Sequence, residues 1–136
     1  MRQGTHIITL DNGYHIWTHT EGQGDIKLLC LHGGPGGNHE YWENFGEELA
    51  DLGVEVTMYD QLGSFYSDQP DYSDPKIAEK YLTYNYYLEE LEELRQKLNY
   101  DNFYLIIHQN VRIRFGMLNE LLLTKSVCAV ATCFHG

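Results

Sequence analysis

Leu28-Leu-Cys-Leu-His-Gly-Gly-Pro-Gly-Gly37 runs from apolar residues straight into a loop of small ones. An apolar run of this kind ends a buried strand, and glycines beyond it turn the chain without a Cβ. Their N–H groups are then free to face a ligand, so the segment offers main-chain hydrogen-bond donors at a strand end. His32 opens the loop, Gly33, Gly34 and Gly36 supply donors, and Pro35, which has no N–H, stiffens the turn. Met58-Tyr-Asp-Gln-Leu-Gly63 follows about one helix later and places Asp60, Gln61 and Gly63 beyond a second apolar run. Ser64 and Ser67 lie just after it. No base stands at a recognisable spacing from either, so both read as turn formers rather than nucleophiles.

The remaining reactive side chains carry weaker signals. His15 and His19 share one face of a strand, but without a carboxylate or Cys at ligand spacing they read as exposed histidines, and no metal is expected. The tyrosines between Tyr81 and Tyr87 read as helix packing. Cys30, Cys128 and Cys133 are odd in number and irregular in spacing, which fits a reducing compartment rather than a disulfide framework.

The elements that must position these residues follow from pattern. Ile7, Ile8 and Leu10 precede Asp11-Asn12-Gly13, and Tyr14, Ile16 and Trp17 follow, so Thr5 to Thr20 reads as a hairpin. Ile26 to Leu31 is a strand buried on both faces. Asn38 can cap a helix to about Leu52, with Trp42, Phe45, Leu49 and Leu52 on one face and Gly53 as its stop. Val54 to Tyr59 is a strand and Asp60 to Pro75 a long loop. A helix is expected from about Ile77 to Leu98, burying Tyr81, Tyr84, Leu88, Leu91 and Leu98, with Glu89, Glu90, Glu92 and Glu93 mostly towards water and Glu93 paired to Lys97. Asn99 to Asn102 is a turn, and Phe103 to Ile107 another buried strand. Strands alternating with helices imply crossover units and a mostly parallel sheet, with the hairpin at one edge.

The chain has 136 residues, 43% hydrophobic, and a formal net charge of -11. That sign argues against nucleic acid or an anionic membrane surface as partner. No apolar run approaches the ~20 residues of a membrane span. Met1-Arg-Gln-Gly-Thr-His is too polar to be a leader, and the cytoplasm is expected.

The two glycine motifs resemble those of the prolyl aminopeptidases (proline iminopeptidases), serine peptidases of the α/β-hydrolase superfamily, over about residues 5 to 106. The resemblance implies the N-terminal part of an α/β-hydrolase fold, incomplete at this length. It implies release of N-terminal proline or a small apolar residue from short peptides, with no cofactor. It also makes His32-Gly33-Gly34-Pro35-Gly36 the oxyanion loop, with Gly34 N–H as donor. The second motif, usually Asp-Gln-x-Gly-x-Gly-x-Ser, reads Asp60-Gln61-Leu62-Gly63-Ser64-Phe65-Tyr66-Ser67, with Phe65 in place of a glycine. Where the family has a Gly-x-Ser-x-Gly elbow, the chain reads Ile107-His-Gln-Asn-Val111. Gln109 stands at the serine position and has no nucleophilic atom for this chemistry. The family's acid and base have no match, and nothing around His135 resembles the family's His region. Catalytic residues are therefore expected to be absent.

Composition changes at the same place. Up to Ile106 there are six basic and nineteen acidic residues; beyond it there are three basic and one acidic, so the sign of the charge reverses. Residues 1–106 accordingly read as hydrolase domain, and residues 107–136 as a tail that is either out of frame or diverged. Phe115, Leu118 and Leu122 keep helical spacing, and Val127 to Thr132 reads as a short strand. A non-catalytic binding or interaction module derived from the same fold is the alternative to a truncated, inactive enzyme.

Overall fold

The computed structural model describes residues 3–32, 39–108 and 127–133. They form a six-stranded sheet in the order β1-β2-β4-β3-β5-β6. The strands are β1 (Gly4–Thr9), β2 (His15–Glu21), β3 (Ile26–Leu31), β4 (Val54–Tyr59), β5 (Phe103–His108) and β6 (Val127–Cys133). Strands β1 and β2 are antiparallel, with Ile8 opposite Ile16, and β2 joins β4 antiparallel. From β4 onward every pair is parallel: β4 with β3, β3 with β5, and β5 with β6. The hairpin turn closes with Gly13, but not Asn12, in the left-handed region. Gly13 has φ +93°, its N–H donates to Leu10 O, and Asn12 Oδ1 accepts from Tyr14 N–H.

Strand β3 is apolar from Leu28 to Leu31, where it becomes covered on both sides; it begins with an exposed Ile26 and with Lys27, which pairs with Glu55 of β4. Leu29 and Leu31 join Tyr59, Leu91, Leu94, Leu98, Tyr100 and Phe103 in one core. Cys30 joins Trp42, Val56 and Met58 in the other, with Leu28 and Leu49 packed against it. The first core lies under the helices α2 (Pro75–Tyr81) and α3 (Tyr84–Lys97), and the second under α1 (Glu43–Ala50).

Three expectations are corrected. The helix after β3 begins as a 3-10 turn, His39–Trp42, and its α-helical part ends at Ala50. Leu52 therefore lies beyond it and is 69% exposed, while Trp42 is fully buried. The single helix expected from Ile77 to Leu98 is two helices, broken at Leu82 and Thr83. Glu90 does not face water: it is buried, at 2% exposure. Its position follows from spacing, since Tyr86, Glu90 and Leu94 are four residues apart and share one face. The Glu93–Lys97 pair forms at 3.0 Å, and Asn99 and Asn102 both adopt positive φ in the turn before β5.

Candidate functional site

The carboxyl ends of β4, β3 and β5 lie side by side, with Cys30 opposite Met58 and Leu31 opposite Ile107. Ligands of open α/β sheets bind outside such ends. His32 follows β3, Asp60 follows β4, and His108 ends β5. Gly33, Gly34, Pro35 and Gly36, like Gln109 and His135, lie outside the described residues. The chain on either side of the glycine loop is described, and both ends are fastened to the same dipeptide.

At one end His32, fully buried, accepts the Gln61 N–H on Nε2 at 2.8 Å. At the other, the His39 N–H donates to Asp60 Oδ1 at 2.7 Å, and His39 Nδ1 lies 2.9 Å from both carboxylate oxygens. A carboxylate only accepts, so this contact puts the proton of a neutral His39 ring on Nδ1. His39 Nε2 then faces Glu43 at 3.5 Å. Asp60 has no exposed surface, and Tyr66 N–H also donates to it, at 3.2 Å. A buried carboxylate needs several such donors to offset its lost hydration. Rings enclose the pair: Trp17 lies 4.1 Å from the His39 ring centre, Tyr66 5.4 Å and Phe65 5.6 Å.

The motif loop is held by its own backbone. Ser67 Oγ donates to Asp60 O at 2.6 Å and accepts from Trp17 N–H at 3.0 Å, which ties the loop to β2. Ser64 N–H donates to Gln61 O, and Gly63 N–H to Asp68 O. Gly63 has φ +87°, and a Cβ there would fall 2.5 Å from Tyr72 Oη, so any other residue would be strained and would displace the Tyr72 side chain. Phe65 has φ +37° at the place where the prolyl aminopeptidase pattern writes glycine. The loop thus keeps a left-handed residue there without the residue type that adopts it freely.

Of the residues singled out from sequence, His32, Asp60, Gln61, Gly63 and Ser67 come together. His39, the partner of Asp60, was missed. Its only sequence signal was its place directly after the glycine loop. His15 and His19 each do have a carboxylate, contrary to the spacing argument: His15 Nδ1 lies 2.9 Å from Asp68, and His19 Nε2 lies 3.0 Å from Glu21. Burial acts to raise the Asp68 carboxyl, but hydrogen bonds from the His15 ring and N–H outweigh it and hold the group below its usual range. Among the described residues no three metal-ligating side chains converge, and no helix is long and apolar enough to cross a membrane.

Comparison with known proteins agrees with this geometry. The sequence profile described as the alpha/beta hydrolase fold matches residues 27–108. A proline iminopeptidase of Elizabethkingia meningoseptica is 39% identical over 103 residues, which is 74% of this chain and 33% of the relative. One from Flavobacterium johnsoniae is 42% identical over 83 residues, 60% of this chain and 26% of that protein. The chain thus spans about a third or less of the curated relatives it matches. In structure it is similar to an epoxide hydrolase of Vigna radiata, with a TM-score of 0.74 and 17% identity over 96% of this chain and 38% of the other. It is equally similar to an esterase of Exiguobacterium antarcticum, with a TM-score of 0.74 and 24% identity over 96% of this chain and 45% of the other. The profile match, the mixed, mostly parallel sheet and the strand-end loops have one reading: the chain belongs to the alpha/beta hydrolase fold family.

Proposed function

We propose that the chain carries the oxyanion-loop portion of a serine aminopeptidase of the proline iminopeptidase type. Its substrates would be short peptides with an N-terminal proline or small apolar residue. The observation that supports this most is the double fastening of the glycine loop. His32 and His39 flank the loop, and both are bonded to Asp60-Gln61 of the family's second motif. Acyl transfer needs preorganised N–H donors at the developing oxyanion, and fastening the residues on either side of the loop is the kind of support such preorganisation requires. Gly34 N–H is the proposed donor.

The 136-residue chain is itself proposed to be inactive, because Gln109 stands at the nucleophile position. Loss of the serine alone can lower turnover on the order of a million-fold. Assay with proline p-nitroanilide, in a preparation free of contaminating peptidase, should detect no hydrolysis. Turnover within about a hundredfold of a full-length relative would overturn the proposal.

For residues 107–136, the reversal of charge supports a change of reading frame. The second reading, a diverged non-catalytic module, is favoured by one observation: β6 continues the sheet, parallel to β5, with Tyr104 opposite Ala129 and Ile106 opposite Ala131. A Gly-x-Ser-x-Gly in another frame of the gene beyond codon 106 supports the first, and its absence supports the second.

A further inference from the structure

Glu90 occupies the middle of α3, yet its side chain points away from water. Its Oε1 accepts the Leu62 N–H at 3.3 Å, so the helix reaches the motif loop two residues after Asp60. The other side of Leu62 is also held, because Tyr72 Oη donates to Leu62 O at 3.3 Å. The titratable groups that act on or feel Glu90 are Tyr59 at the end of β4, Tyr72 of the loop, and Tyr86, Tyr87 and Glu93 of α3 itself. Glu93 is engaged elsewhere, with Asp11 N–H at 2.7 Å and Lys97 at 3.0 Å. The strongest influences on Glu90 after burial are Tyr86, the Leu62 N–H and Glu93, none of them a cation. Beside it lies a cleft of about 370 Å³ between the hairpin turn and the α2–α3 junction, lined also by Asp11, Asn12, Lys80, Thr83 and Glu89.

We infer that Glu90 is a proton-operated latch between α3 and the loop Asp60–Ser67. Protonated, it is a neutral group at home among tyrosines, and the loop stays packed on the helix. Ionised, it is a buried anion with a single hydrogen-bond donor, the Leu62 N–H on Oε1, while its Oε2 and the neighbouring Tyr86 Oη are buried without a partner and no cation is ion-paired to it among the described residues. Water then enters by the adjoining cleft and the Leu62 contact loosens. Burial pushes this carboxyl up from 4.5 to about 7, against the opposing pull of the nearby Tyr86 hydroxyl and the Leu62 N–H, so the latch works near neutral pH. The loop it controls carries Asp60, which fastens His39 after the glycine loop. The latch does not depend on turnover and stands apart from the proposed peptidase chemistry.

The test is an NMR titration of the full 136-residue chain with carboxyl-labelled glutamate, alongside amide exchange at Leu62 corrected for its intrinsic rate. The Glu90 carboxyl carbon should titrate near 7. Leu62 should exchange about tenfold faster, relative to the intrinsic rate, at about pH 8.5 than at about pH 6, the ratio that linkage requires for such a shift. In Glu90→Gln the corrected exchange should be flat across that range. A Glu90 titration in the ordinary carboxylate range overturns the inference, and so does Leu62 protection that ignores pH in the unmodified chain. These two readings decide the matter even if the variant does not fold.

Discussion

At the scale of single residues the site is a set of hydrogen bonds that the local sequence only half announces. Phe65 shows the tension most directly. It holds φ +37°, a region that costs a side-chain-bearing residue roughly 1–3 kcal/mol. Its ring recovers part of that against Tyr66, 4.2 Å away, and His39, but Phe65 remains 49% exposed. Partial burial of one ring does not offset the backbone term. Phe65→Gly should therefore stabilise the chain by about 1 kcal/mol in urea denaturation. A loss of stability would mean that the aromatic contacts dominate and that the loop is built around this ring. His32, Asp60, Gln61, Gly63 and Ser67 were legible because they lie at fixed offsets within short motifs beside apolar strands. His39 was not, because its partner is 21 residues away in sequence and no local spacing links them.

At the scale of elements, the strands were the most legible feature. The last four residues of β3 are a continuous apolar run because they are covered on both faces, and β4 carries Val54, Val56, Met58 and Tyr59 around a buried Glu55 and Thr57. The long helix was misread for a physical reason. Tyr81 of α2 and Leu88 of α3 pack into the same core, so the apolar period runs on through a break in the backbone. The caps were the better signal. Asp74 accepts the Lys76 N–H ahead of Pro75, and Thr83 Oγ1 accepts the Tyr86 N–H at 3.1 Å. Both residues have the extended backbone of an N-cap. Thr83→Ala removes the second cap and should cost about 1 kcal/mol. Thr83→Ser, which keeps the acceptor oxygen, should recover most of it. Equal losses in the two variants would show that the methyl group, not the cap, holds the junction. The charge pattern of α3 misled in the same way. Four glutamates in a short stretch read as a wet face, yet the face that buries Leu94 and half-buries Tyr86 also buries Glu90.

At the scale of the whole molecule, the order of strands and helices was sufficient to give a mostly parallel sheet with a hairpin at one edge, while the fold family was legible only through the two glycine motifs. The consequence of one buried acid was hidden until the sheet, the helix and the loop were assembled around it. Glu90 has a raised carboxyl, about 7 in the folded chain against 4.5 as its ordinary value. The folded state therefore binds the proton more tightly than the unfolded one. Stability from this group is fully present below about pH 4.5 and declines as pH rises through about 7, after which it changes no further. The shift corresponds to about 3 kcal/mol across that window. Asp68 and Glu92 have lowered carboxyls and act in the opposite sense, losing their contribution as pH falls. Asp68 is exposed and Glu92 half-buried, their side chains being 41% and 27% accessible, so solvent screening makes their effect smaller. A net charge of -11 adds self-repulsion that grows in the same direction as the Glu90 effect. Glu90→Gln separates the two, because it keeps the shape of the protonated acid and cannot ionise. Urea denaturation at a series of pH values should find the variant and the unmodified chain close near pH 4.5. The variant should become more stable by about 3 kcal/mol above about pH 7.5, where the unmodified chain must bury an anion. If the gap is independent of pH, the carboxyl is not desolvated in solution, and the decline with pH belongs to the general repulsion of an acidic surface, which added salt would suppress.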